Sequence, residues 1–220
     1  MNGDRNCPMR LVWDPVLRIL HWWMAATLGL QFITGTALML LDGVLPEASM
    51  ENLDLLHYAG GGLFAAGLAG RLLWLFIGPV EAGWRDFLPL TARQRSEWLA
   101  TTRHYLSCLR VKLPRSRAHN PFAATAYLGF FVLGTAQVTL GTILATMEDE
   151  ARMHSPLLEW HSAGFYLLLL FVAVHLTTVV LREVVGREGI VSAIIHGRKP
   201  DCHGYDPDRI SSDPNYTQRT

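Results

Sequence analysis

The chain has 220 residues, 50% of them hydrophobic and only 17% charged, with 19 basic residues balanced by 19 acidic ones. So little charge beside so much apolar content excludes a disordered chain, and the missing basic excess argues against a nucleic-acid binder. Three scattered cysteines exclude a disulfide scaffold, and the length suits a single domain over 1–220; the class left is an integral membrane protein.

The distribution of charge along the chain supports that class. Arg5, Arg10 and Arg18 come first, and then no Asp, Glu, Lys or Arg occurs from Ile19 to Leu41, which predicts a first span at 17–41. A hydrocarbon core needs about 20 residues of helix to cross it, and lipid forces such a segment to be helical because every backbone amide must pair internally. The run is too long for the apolar part of a signal peptide and shows no small-residue cleavage site, so it is expected to be retained. An acidic segment follows, Asp42–Asp54, with four acids and no base. The second span is predicted at 55–79, interrupted only by Arg71. The loop at 81–117 holds eight bases against three acids. Within it Thr91-x-x-Gln94 has the form of a capping box. Trp98, Tyr105 and Leu109 then fall at helical spacing among Arg93, Arg95, Arg103 and Arg110, a pattern that fits a basic helix on the membrane surface or an ordinary solvated loop. The third span is predicted at 119–147, the acidic loop Glu148–Glu159 has Arg152 as its one base, and the fourth span is predicted at 158–182, ahead of a tail at 183–220.

Loops rich in Lys and Arg stay cytoplasmic. The expected fold is therefore all-α, an integral membrane four-helix bundle with both termini and the 81–117 loop cytoplasmic and the two acidic loops outside. Trp22, Trp23, Trp74 and Trp160 fall near span ends, where interfacial aromatics sit. Cys7, Cys108 and Cys202 lie on the expected cytoplasmic side, where thiols stay reduced, and no C-x-x-C-H motif offers covalent haem attachment.

Four of the nine histidines, His21, His57, His161 and His175, lie in or at the mouth of the spans. Ionisable groups in a membrane are costly and usually functional. His161 and His175 are 14 residues apart, nearly four turns, so they share a face and differ in depth by about 21 Å. Alternating helix direction then places His21 at the inner depth with His175, and His57 at the outer depth with His161. Two imidazoles facing each other, with no thiolate or carboxylate nearby, suit the axial positions of haem iron. Zinc would want four ligands in one cluster. Arg71 follows His57 by 14 residues, at the inner depth, where a haem propionate would pair with it, although snorkelling to the interface is a second reading. Gly35, Gly60, Gly61, Gly62 and Gly164 lie near the outer pair, where they admit either a flat macrocycle or a neighbouring helix. His104, His119, His154, His196 and His203 fit solvated positions, and His154 is near enough to the outer pair to compete with His161.

These residues also carry a resemblance. Val12-Trp13-Asp14-Pro15 with Arg18 and His21-Trp22 resembles the opening of the bacterial cytochrome b561 and nickel–iron hydrogenase b-type cytochrome family. Thr34-Gly35 is similar to the end of that family's first span. Gly70-Arg71-Leu72-Leu73-Trp74, Gly78-Pro79 and Phe87-x-Pro89 resemble its second span and exit loop. His119-Asn120-Pro121 resembles its entry to the third span, and Trp160-His161 to His175, Arg182-Glu183 and Gly197-Arg198-Lys199 resemble its last span and tail. The matches run in order from Val12 to Lys199.

The resemblance implies a multi-pass protein of the bacterial inner membrane holding two haem b, with His21 and His175 on the inner iron and His57 and His161 on the outer. It implies electron relay between quinone, as exchangeable substrate, and a redox partner such as a periplasmic hydrogenase or c-type cytochrome. The opening motifs are similar to free-standing members and the tail to hydrogenase subunits, and the short outer loops leave the partner open. The alternative is a stand-alone quinone-linked oxidoreductase of a small reductant such as superoxide. A metal-ion transporter would need carboxylates inside the spans, and there are none; a purely structural anchor leaves the matched histidine depths unexplained. Membrane lipid is the expected surrounding, no nucleic-acid partner is expected, and a homo-oligomer is compatible with the sequence.

Overall fold

The computed structural model describes residues 9–11, 13–79, 92, 95, 96, 99, 121–184 and 189–200. The capping box and basic helix expected in the 81–117 loop therefore fall almost wholly outside the described residues, as do Cys7, Cys108, Cys202, His104, His119 and His203.

Four long helices make the body of the protein: α1 (Pro15–Leu41), α2 (Glu47–Ile77), α3 (Pro121–Ala145) and, after a five-residue helix α4 (Asp149–Met153), α5 (Pro156–Val184). Each of the four is long and apolar enough to cross a membrane. A short helix α6 (Ile190–His196) follows. A ribbon of two three-residue strands, β1 (Met9–Leu11) antiparallel to β2 (Arg198–Pro200), ties the start of the described chain to its end. The bundle thus has a ribbon end and, opposite, an acid-loop end.

Local chemistry sets the helix boundaries. Asp14 caps α1, its Oδ1 accepting from the Leu17 amide at 3.0 Å, and Pro15 follows in the first turn. The indole of Trp74 donates to the other oxygen of Asp14 at 3.4 Å, which ties the end of α2 to the start of α1. The acidic segment after α1 is shorter as a loop than its charge suggested, because α2 begins at Glu47. Glu47, Glu51 and Asp54 recur at helical spacing, so a helix extending past the hydrocarbon keeps them near water. At the ribbon end Gly197 ends α6 with φ 78°, and a Cβ there would come within 2.7 Å of the Arg18 Nη1, which donates to the Ile195 carbonyl.

The buried centre is small: Met24 and Leu28 from α1, Phe64, Leu68 and Leu75 from α2, Phe131 from α3 and Leu168 from α5. The outward faces carry Ile33 (70% exposed), Leu40 (70%) and Phe76 (72%). Apolar surface that extensive needs lipid around it. The protein is an all-α membrane helical bundle. Along the bundle α1 packs closely on α2, α2 on α3 and α3 on α5. α1 and α5 do not approach as closely, and meet through long side chains such as Phe32 against Phe165, ring centres 5.5 Å apart. The ribbon-end histidines lie in that wider spacing, and the acid-loop pair spans α2 and α5.

Candidate functional site

His21 is in the second turn of α1 and His175 is toward the end of α5; their ring centres are 6.5 Å apart at 51°. His57, on α2, faces His161, on α5, at 6.3 Å and 86°. All four rings are partly buried. Two metal–imidazole bonds of about 2 Å, each with about 1 Å more from nitrogen to ring centre, sum to roughly 6 Å. Both gaps therefore have the length of one metal ion held between two imidazoles, and rotation about the bond axis accommodates either interplanar angle. Among the described residues no group of three or more His, Cys, Asp and Glu gathers as a metal cluster, so four-ligand zinc chemistry has no site there.

The Nδ1 atoms of the rings differ in their partners. His57 Nδ1 lies 2.8 Å from the hydroxyl of Thr34, a residue only 1% exposed. His21 Nδ1 and His161 Nδ1 are buried with no hydrogen-bond partner. Around the ribbon-end pair the walls are aromatic. Phe171 lies parallel to His175 at 6.2 Å, Tyr127 meets it edge-on at 6.0 Å, and Phe130 stacks on Phe171 at 5.0 Å.

The acid-loop pair is held by a device used twice. Gln31 of α1 donates its amide to the carbonyl of His57 at 2.9 Å, and Gln137 of α3 donates to the carbonyl of His161 at 3.1 Å. One turn beyond each histidine a glycine makes room for that amide: a Cβ at Gly60 would come within 2.6 Å of Gln31 Nε2, and one at Gly164 within 1.5 Å of Gln137 Nε2. One turn beyond each glutamine, a second glycine faces the ring itself, Gly35 beside His57 and Gly141 beside His161. The sequence reading missed Gln31, Gln137 and Gly141, and it named Thr34 only in the Thr34-Gly35 resemblance, with no role. The signal available was a paired pattern, Gln31-x-x-x-Gly35 with His57-x-x-Gly60 and Gln137-x-x-x-Gly141 with His161-x-x-Gly164. It also assigned Gly60 and Gly164 no definite neighbour, and each of them lies against a glutamine amide.

Arg71 is buried at 6% exposure, its guanidinium 5.6 Å from the centre of the Phe131 ring, so it does not snorkel to the interface. His154 is exposed, with its Nδ1 bonded to the Glu150 carbonyl at 2.9 Å within its own turn, and it is His161 that faces His57. Arg152 pairs with Asp54 at 3.6 Å and Asp149 at 2.8 Å and donates to the Tyr58 hydroxyl, joining α4 to α2 above the acid-loop pair.

Two facing imidazole pairs inside a membrane bundle describe a haem protein, and comparison with known sequences gives the same direction. The chain matches the family described as prokaryotic cytochrome b561 over residues 12–197. The chain belongs to that family. Among its relatives is a probable Ni/Fe-hydrogenase B-type cytochrome subunit of Azotobacter vinelandii, 24% identical over 84% of this chain and 86% of its own. Another, of the same description, is from Bradyrhizobium diazoefficiens, 24% identical over 90% of each. A third, a probable Ni/Fe-hydrogenase 1 B-type cytochrome subunit of Escherichia coli K12, is 22% identical over 90% of this chain and 94% of its own. This member of the family is a multi-pass bacterial membrane protein, a b-type cytochrome whose work is electron transfer and whose cofactor is haem b. The residues present fit that cofactor, since the ring spacings and the glycines beside the acid-loop rings suit a flat group bound between imidazoles.

Proposed function

We propose that the chain is a two-haem relay that carries electrons across the membrane between quinone and a redox protein. The observation that carries this reading is the presence of two histidine pairs of metal-bridging span, 6.5 and 6.3 Å, at opposite ends of one bundle. His21 and His175 would hold one iron and His57 and His161 the other, each through neutral imidazole. Bound there, haem b supplies a one-electron redox couple. The protein's part is to fix the two positions about 21 Å apart along α5, to keep water from them with Phe130, Phe165 and Phe171, and to place charge beside them. Arg71, buried on the face of α2 that continues from His57, supplies a positive charge to a propionate of the ribbon-end haem.

The ribbon end is cytoplasmic and the acid-loop end is outside, in line with the Lys and Arg of the termini and middle loop. The partner docks at the acid-loop end. There Asp42, Glu47, Glu51, Glu148, Asp149, Glu150 and Glu159 are exposed, and Arg152 is engaged by two acids. The names of the relatives point to a hydrogenase as that partner. The test is a pyridine haemochrome assay with protein quantitation on the detergent-purified chain. Two haem b per chain are expected, falling to one in His21→Ala and to one in His57→Ala. A wild-type ratio of one, or loss of both haems from either folded variant, overturns the assignment. Reduction of quinone by a small reductant with no partner added would favour the stand-alone oxidoreductase instead.

A further inference from the structure

The two copies of the clamp around the acid-loop pair differ at one position. In Gln31-Phe-Ile-Thr34-Gly35 and Gln137-Val-Thr-Leu140-Gly141 the fourth residue is threonine in the first copy and leucine in the second. The Thr34 hydroxyl lies 2.9 Å from the Leu30 carbonyl and 2.8 Å from His57 Nδ1. With Nε2 as the ligating atom, Nδ1 carries the imidazole proton, the Thr34 hydroxyl oxygen accepts it, and the hydroxyl's own proton goes to the Leu30 carbonyl. His57 is thereby held as the tautomer whose Nε2 carries the lone pair. In the second copy leucine has no hydroxyl to offer, and His161 Nδ1 is buried without a hydrogen bond.

We propose that Thr34 is a positioning residue that makes the two ligands of the acid-loop haem unequal and lowers the reduction potential of that haem. The inference rests on the assignment of His57 and His161 as ligands. An acceptor on the outer nitrogen of a ligating imidazole fixes its orientation and raises its basicity. A more basic axial ligand favours the oxidised iron, and so lowers the potential. Thr34 acts on one haem only, because its hydroxyl reaches His57 at the acid-loop end while the ribbon-end ligands lie about 21 Å away along the bundle. The asymmetry gives the relay a difference between its two stations that does not depend on the partner.

The test is a redox titration of the purified two-haem protein, followed optically and by low-temperature electron paramagnetic resonance, for Thr34→Val and Thr34→Ser. Thr34→Val keeps the shape and removes the hydroxyl. It is expected to retain both haems, to raise one potential and alter that haem's g-values, and to leave the other haem unchanged. Thr34→Ser keeps the hydroxyl and is expected to titrate as the wild type does. Thr34→Ala removes the hydroxyl without the second methyl and carries the same expectation as valine where valine is not accommodated. Unshifted potentials in a two-haem Thr34→Val or Thr34→Ala protein overturn the inference and leave the ligand assignment standing. An equal shift in Thr34→Ser also overturns it, by assigning the effect to packing. Wild-type haem content in His57→Ala overturns the ligand assignment, and the inference with it.

Discussion

Replacing Gly164 with alanine tests the clamp directly. A methyl there would meet the Gln137 amide nitrogen at 1.5 Å, its Cδ at 2.7 Å and its Cγ at 3.4 Å, so the amide must leave and its 3.1 Å bond to the His161 carbonyl goes with it. Losing a side-chain hydrogen bond between membrane helices costs about 0.6–1.7 kcal/mol, and forcing a methyl into a filled contact costs about 1–3 kcal/mol. Against this stands about 1 kcal/mol regained by removing a helical glycine, which leaves a net loss of roughly 1–4 kcal/mol. The measurement is reversible unfolding of the purified protein in a series of sodium dodecyl sulfate fractions, read by loss of helical circular dichroism. A double-mutant cycle separates the amide from the backbone. In a Gln137→Ala background the obstructing group is gone, and Gly164→Ala should cost nothing or stabilise. If the full penalty persists in that background, Gly164 serves the approach of the α3 and α5 backbones, and the clamp is not what the glycine is for.

Gly67→Ala would set a methyl 2.5 Å from Cδ1 of Trp23, whose indole is fixed by its 2.8 Å bond to the Leu63 carbonyl, and is expected to destabilise by roughly 2–4 kcal/mol in the same unfolding assay. Gly62→Ala, with nothing within 4 Å, should be neutral or stabilise by up to about 1 kcal/mol; equal losses at the two positions would contradict the packing described. Arg152→Ala should cost about 1–2 kcal/mol by unpairing half-buried Asp54 and Tyr58. Asp149→Asn, at a side chain 88% exposed, should cost less than about 0.5 kcal/mol, and a larger loss from Asp149 would reverse the importance given to the two acids.

How much of this was legible in the sequence follows from how far each signal carries. Lipid tolerates so few charges that four charge-poor runs are enough to announce four helices, and helical rise converts the spacing of histidines along them into depth. Depth alone brings His21 to His175 and His57 to His161 once helix directions alternate. The start of α2 was misplaced because acids were read as loop, whereas a helix may continue past the membrane surface as long as its acids reach water. Burial of Arg71 was not legible, since pairing and snorkelling leave the same residue in the same place along the chain. The roles of Gln31, Gln137 and Thr34 were missed for a different reason. A glutamine or threonine in a span has no periodic signature, and its meaning comes from which carbonyl or ring lies across the helix contact.

The distribution of ligands over the helices also has consequences for how the two stations respond to change. α5 carries one histidine of each pair, whereas α1 and α2 carry one each and α3 carries none among its described residues. The 14-residue interval on α5 therefore fixes the distance between the two pairs, while α1 supplies His21 at one end and Gln31, Thr34 and Gly35 around His57 at the other. α3 acts on α5 from behind: Gln137 and Gly141 set the His161 end, and Tyr127 and Phe130 set the His175 end through Phe171. Under the two-haem reading, replacing His21 or His57 should disturb one haem, and a substitution that moves α5 as a whole should disturb both. That difference arises from a bundle in which α1 packs closely on α2, α2 on α3 and α3 on α5, while neither α1 nor α2 approaches α5 as closely. Each histidine pair spans such a gap, with its second member on α5.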